Sequence, residues 1–315
     1  MGVPSRFGQI QADAYLGSAH DNSPFGKIWY VDVTNGSDGN AGDGPNAGEC
    51  FATIGAAITA AVATRGDTVV IYPGTYTITA VLAPKAFMTF RAAIINPQAP
   101  AVSIRGNIAN LMTVDVNGVR WIGCEFRATG TTAADLVKLS ATTAITGGVT
   151  FEDCVFHGAD QSGGAVVGQN GVCGISSTGA NATTGLVVRR CLFRDLGKTC
   201  IEVGVSGMPY AKIEDNVFAL DTTAGIGIRL DTTAAFATGK GFTIRNNEFT
   251  GVSSTTTTTV GIVLVGTKDT TGAGIIRNNY FAYCAAATIT AAILPDSIIE
   301  NYVGNSSGGS LVDSE

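Results

Sequence analysis

Only 14% of the 315 residues are charged and the net charge is −6, so the chain carries no basic footprint and nucleic acid is not an expected partner. No apolar run approaches the length of a membrane span, so no membrane partner is expected either. Gly supplies 41 residues against 9 Pro, which suits a chain of many tight turns rather than long helices.

Residues 1–27 are polar, punctuated by Gly and Pro, and without periodicity. They contain no apolar stretch of the kind a secretion signal needs. Two readings stand: a leader without structure of its own, or an extended arm that docks on another protein and orders there. In the second, Arg6, Phe7, Ile10, Tyr15, Leu16 and Phe25 are the contact residues, with Asp13 as a further polar one.

A strand over Ile28–Val33 leads into an Asn/Asp/Gly loop. Phe51, Ile54, Ile58, Ala61 and Val62 then fall on one helical stripe, which predicts an amphipathic helix over about 51–64. Gly66-Asp67 ends it, and Thr68–Tyr72 is a strand closed by Pro73-Gly74. Asp32, Asp38 and Asp43 offer oxygens for Ca²⁺, but their spacing does not match an EF-hand loop. A turn-rich loop is the reading, and no cofactor is expected.

From residue 119 one phrase recurs. It reads VRWIGCEF, VTFEDCVF, LVVRRCLF, AKIEDNVF, FTIRNNEF, GIIRNNYF and, worn down, DSIIENYV. The closing residues are separated by 30, 37, 25, 31, 32 and 22 positions. A spacing that scatters while the phrase keeps its internal alignment indicates stacked units with loops of variable length. Residues seven and five before the Phe alternate as in a half-buried strand. The Phe breaks that parity, so the chain must turn at the position two before it and open a new strand. That position holds Cys124, Cys154, Cys191, Asn216, Asn247, Asn279 and Asn301. Asn tolerates left-handed backbone, and stacked Asn side chains can form a ladder. Further apolar runs at 136–139, 173–175, 201–205, 226–230 and 262–265 give each unit about three short strands.

The coil phrase, the Asn rungs and the opening segment (GSDGN, then FATIGAAITAA, then GDTVVIYPGTY) resemble the right-handed parallel β-helix of pectate-lyase-like and phage-tailspike-like proteins. The resemblance implies an all-β solenoid over 28–305, with the helix plugging its first coil and a polar tail over 306–315. It also implies a parallel homotrimer. Few polar residues face outward at Val203, Val205, Val263 and Val265, which makes them the expected trimer contact.

Catalysis on glycans by this fold needs paired carboxylates, or Asp-bound Ca²⁺ with a basic residue. The outward columns read Ile122, Glu152, Arg189, Glu214, Arg245, Arg277 and, beside them, Gly123, Asp153, Arg190, Asp215, Asn246, Asn278. Opposite charges alternate from coil to coil and can pair across about 4.8 Å. The reading is a solvated ladder, with Glu152, Asp153, Glu214 and Asp215 as catalytic acids under the alternative. The Asp-Asp and Gly-His-Gly motifs of polygalacturonases are absent, as are the Asp-His and Arg-x-Pro-x-x-Arg motifs of pectate lyases. His157 reads as an isolated loop residue, and the Lys and Arg as scattered.

The seven Cys are an odd number and three share one turn position, which reads as reduced thiols in a reducing cytoplasm. Together these features predict no enzyme but a virion protein assembled in the host cytoplasm. It would be a capsid decoration spike, held through residues 1–27 to the major capsid protein or another virion protein. The alternative is a tailspike-like module that binds or degrades a host-surface polysaccharide.

Overall fold

A computed structural model of the chain describes residues 26–96, 98–130, 135–139, 142–158, 173–177, 181–204, 209–220, 225–231, 241–251, 260–265, 274–282, 284, 289–291, 297–299 and 301–304. Their strands form three sheets of ten, nine and seven strands. In each sheet the strands lie side by side in chain order, all of them parallel. One circuit shows the plan. Val119–Ile122 lies in the first sheet, Cys124–Ala128 in the second and Asp135–Leu139 in the third. The chain then returns to the first sheet at Val149–Glu152, directly beside Val119–Ile122. Parallel neighbours need a long crossover, and one turn of the coil provides it. Ten strands at the usual spacing make a shaft about 45 Å long.

The core is built of columns, because equivalent residues of successive coils are register partners. Phe126, Phe156, Phe193, Phe218, Phe249 and Phe281 align one above the next. Their rings stack at centroid distances of 4.6–5.4 Å and within 14° of parallel. Each such pair contributes about 0.5–1.5 kcal/mol beyond its buried area. In the first sheet Phe90 stacks on Trp121 at 4.0 Å, and Phe151, Val188, Ile213, Ile244 and Ile276 continue that column. Glycine in the third sheet makes room for the rings. A Cβ on Gly227 would stand 2.6 Å from the Phe249 ring, and one on Gly261 would collide with Phe281.

The turn between the first and second sheets differs in one respect from the sequence expectation. The left-handed residue is not the Cys or Asn but the one before it: Gly123, Asp153, Arg190, Asp215, Asn246 and Asn278, with φ between 52° and 73°. The Cys or Asn side chain then points inward and is buried. The expected ladder is present. Asn216 Nδ2 donates to Asn247 Oδ1, Asn247 Nδ2 to Asn279 Oδ1 and Asn279 Nδ2 to Asn301 Oδ1, at 2.9–3.0 Å. Each Oδ1 also accepts the backbone N–H of the preceding rung, down to Cys191. All seven cysteines are free and buried.

The helix is shorter than expected, Ile54–Ala60. Thr53 caps its start, accepting the Ala56 N–H, while Asp38 accepts the Thr53 hydroxyl and the N–H groups of Ala52 and Thr53. Phe51 is in extended backbone, bridged to Val31. Beyond Ala60 the buried Asp67 accepts the Val62 N–H and the Trp29 indole N–H, which draws the chain out of the helix and leaves Val62 49% exposed. Ile54, Ala57 and Ile58 pack into the core beneath the first coil, as a cap requires.

Candidate functional site

Each coil passes from the first sheet to the second through one or two residues, except early on. There Thr89–Ala92 and Val102–Gly106 are joined by the longer connection 93–101. This connection overhangs the corner formed by the next coils. Asn96 and Gln98 from it, with Asp153, Arg190, Cys191, Leu192, Asp215 and Val217 from the corner, line a groove of about 620 Å³. Asp153 and Asp215, two of the sequence candidates, therefore share one groove, with Arg190 of the coil between them.

Glu152 and Glu214, the other two candidates, sit on the outer face of the first sheet beside that groove. Glu152 is caged by three arginines. It accepts from Arg189 at 2.9 Å and also from Arg120 and Arg190. Burial pushes its carboxyl up, but the bonds from Arg189, Arg120 and Arg190 prevail and hold it at about 2. Arg190 also grips Asp153, Nε to Oδ1 at 2.8 Å. Glu214 pairs with Arg245 at 3.0 Å, and Asp215 accepts from Asn246 Nδ2 at 3.0 Å. The left-handed backbone at Asp153, Arg190 and Asp215 turns these side chains outward at the corner.

A second cluster escaped the sequence reading. His157 is no isolated loop residue: it lies in the strand Val155–His157 of the second sheet, 8% exposed. Its Nδ1 is 3.1 Å from Glu125 Oε1 and its Nε2 is 2.8 Å from Asp195 Oδ2. Glu125, 4% exposed, also accepts from the Ser103 hydroxyl and has Arg194 at 3.5 Å and Arg105 at 3.9 Å. Burial raises the Glu125 carboxyl, but the bonds from His157 and Ser103 prevail and hold it at about 2. Burial likewise lowers the His157 imidazole, and its bonds to Asp195 and Glu125 outweigh that and raise it above its ordinary value. Nor are the arginines scattered, since Arg105, Arg127, His157 and Arg194 are successive register partners. The signal was in the sequence: Arg127, His157 and Arg194 each follow the Phe of their phrase by one position.

On the third sheet Glu202 gathers Lys198 at 2.6 Å, the Cys173 thiol at 3.1 Å and Arg229 at 3.6 Å. The trimer contact expected there needs correction at Val203. Val203 shares the parity of Ile201 and is 2% exposed within the core, while Glu202 between them faces outward. Val263 does face outward, half-buried. Val205 and the side chain of Val265 lie outside the described residues, as do Arg6, Phe7, Ile10, Tyr15, Leu16 and Phe25 of the arm and the tail 306–315.

The three carboxylates considered for Ca²⁺ serve separate structural tasks. Asp32 caps Thr34 and Asn35, Asp38 holds the helix start, and Asp43 pairs with Lys27 at 3.6 Å. Among the described residues no group of three His, Cys, Asp or Glu could hold a metal ion.

No protein-family model matches the sequence, and no curated protein matches it. Solved structures do match. A pectin methylesterase from Aspergillus niger, in deglycosylated form, is 14% identical over 94% of this chain and 88% of its own, with a TM-score of 0.53. The same enzyme in penultimately deglycosylated form is 13% identical over 95% and 91%, with a TM-score of 0.51. The chain is a right-handed parallel β-helix. A pectin methylesterase from carrot is 11% identical over 92% of this chain and 85% of its own, at a TM-score of 0.46. At such identities the likeness concerns the β-helix alone and carries no activity with it.

Proposed function

We propose that this β-helix is a non-catalytic bacteriophage virion protein: a homotrimeric capsid decoration spike attached through residues 1–27 to the major capsid protein or another virion protein. The observation that carries the non-catalytic part is the arginine cage around Glu152. A general acid must hold a proton near neutral pH, and a carboxyl at about 2 does not; as a base or nucleophile it would have to give up Arg189 and Arg120 on one oxygen or Arg190 on the other. Glu214 is likewise paired with Arg245. The virion part is supported by the resemblance of the coil phrase and opening segment to phage β-helices. With Val203 in the core, the trimer contact falls to the outward Val263 of the third sheet. Light scattering on the full chain and on residues 28–315, followed by co-sedimentation with assembled capsids, tests this. A trimer in both cases, with capsid binding only in the full chain, is the expected result. A monomer that ignores capsids overturns the proposal.

The groove favours a second reading, a module that binds or cleaves a polysaccharide. Asn96, Gln98, Asp153, Arg190 and Asp215 supply hydrogen-bonding groups, and Leu192 and Val217 an apolar wall. Sites of this size and mixed lining suit small-molecule ligands, and the Aspergillus niger neighbour is a pectin methylesterase. Affinity electrophoresis against a panel of polysaccharides, comparing the full chain with Asp215→Asn and Gln98→Ala, tests it. Retardation lost in both variants would support this reading, and no retardation in the full chain would remove it.

A further inference from the structure

The outer face of the second sheet carries a concentration of positive charge that neither reading uses. Arg105, Arg127, His157 and Arg194 stand at one register position on four consecutive strands. They therefore repeat at about 4.8 Å along the shaft. Like charges directly opposite on neighbouring strands are destabilising, and in a chain of net charge −6 the column is a local reversal of sign. Glu125 and Asp195 are the carboxylates of this cluster. Both ring nitrogens of His157 face carboxylate oxygens, so both act as donors and the imidazole is cationic. Four cations against two carboxylates leave an excess of two positive charges within this cluster.

Arg105 and Arg194 lie 3.9 and 3.5 Å from Glu125, and Arg105 Nε donates to the Ser103 hydroxyl at 2.7 Å, so each is anchored on its inner side. Their side chains are 34% and 36% exposed, so each guanidinium is open to solvent in part, whereas the carboxylate beneath them is buried.

We propose that this column is a binding site for a phosphate monoester. Such a group carries about −1.5 to −2 charges at neutral pH, which matches the local excess, whereas a sulfate ester or a uronate carries a single charge. Guanidinium groups recognise phosphate oxygens through paired N–H donors. The Glu125 carboxylate keeps Arg105, Arg194 and His157 in place from below, so the site is organised before the ligand arrives.

Isothermal titration calorimetry of the full chain at low salt tests this with three probes. They are inorganic phosphate, a monosaccharide phosphate and vesicles containing phosphatidic acid. Inorganic phosphate should bind, and Arg127→Gln and Arg194→Gln should each weaken it about tenfold, or ~1.4 kcal/mol. Arg277→Gln, an exposed arginine of the first sheet, should leave it unchanged. Thermal melts of each variant separate lost binding from lost folding. Tighter binding of the sugar phosphate assigns the ester to a saccharide, and tighter binding of the vesicles assigns it to a lipid headgroup. Either outcome supports the site. Absence of phosphate binding, or equal binding by Arg127→Gln and the unmodified protein, overturns it.

Discussion

Asn216 and Asn247 are 31 positions apart in the chain, yet the amide of the first donates to the carbonyl of the second at 3.0 Å inside the core. Asn247 Oδ1 also accepts the Asn216 backbone N–H, and its Nδ2 donates to the Ile213 carbonyl and to Asn279. Asn247→Ala strands these partners in a buried column, and an unmet buried polar group costs about 1–3 kcal/mol. A loss of about 3 kcal/mol is expected in urea unfolding. Asn216→Cys, which copies the rung found at Cys191, should cost less than half of that.

His157 makes stability fall on the alkaline side. Its folded-state pKa is raised above the ordinary histidine value by its bonds to Asp195 and Glu125, which outweigh burial. The stabilisation is therefore complete below the unfolded-state value and fades as pH rises through the folded-state one. Glu125, held at about 2, and Asp195, lowered chiefly by its bond from His157, act oppositely. They stabilise above the ordinary carboxylate range and lose that effect as pH falls through their lowered values. Arg127 and Arg194 also face the ring. The melting temperature should drop between neutral and mildly alkaline pH, and His157→Gln should flatten that limb. An unchanged slope in His157→Gln would contradict the arrangement.

Gly261→Ala drives a methyl group into the Phe281 ring. Overpacking of this kind costs about 1–3 kcal/mol. The double variant Gly261→Ala with Phe281→Leu should recover part of the loss, since the branched chain yields where the flat ring cannot. Differential scanning calorimetry of the single and double variants measures it.

Glu152→Gln separates a structural acid from a catalytic one. Removing the charge leaves Arg120, Arg189 and Arg190 crowded around a neutral amide. The arginines are 39–46% exposed, so water screens them and a loss of about 1 kcal/mol is expected. A variant that abolishes a measurable glycan cleavage would restore the enzymatic reading.

The coil architecture was legible because its phrase repeats: parity places Trp121, Phe151 and Val188 inward, and the break in parity announces the new strand at the Phe. The Asn ladder followed from the same alignment. The left-handed residue stands one place before the expected one, because the turn must be made there for the Asn or Cys side chain of the rung to enter the core. There Asp153 and Arg190 adopt positive φ without the help of glycine. The helix stripe ran past its true end because nothing local to Ala61 marks it, and the stop comes from Asp67 reaching back to Val62. Val203 was assigned outward although it shares the parity of Ile201. The Glu125–His157–Asp195 cluster was missed since three coils assemble it. Likewise, the groove needs Asn96 and Gln98 from a loop whose path the phrase does not encode.

The rungs from Asn216 to Asn301 all point the same way. Every side-chain carbonyl faces the earlier coil, and from Asn216 to Asn279 each Nδ2 gives one N–H to the later rung and the other to a backbone carbonyl of the earlier coil. The column is thus a row of aligned dipoles, with its negative end at Cys191 and its positive end at the final coil. Each coil is fastened by the one that follows it. A shaft tied in this order peels from its last turn backwards, one rung at a time, while the aromatic stack below Asn216 stays shut.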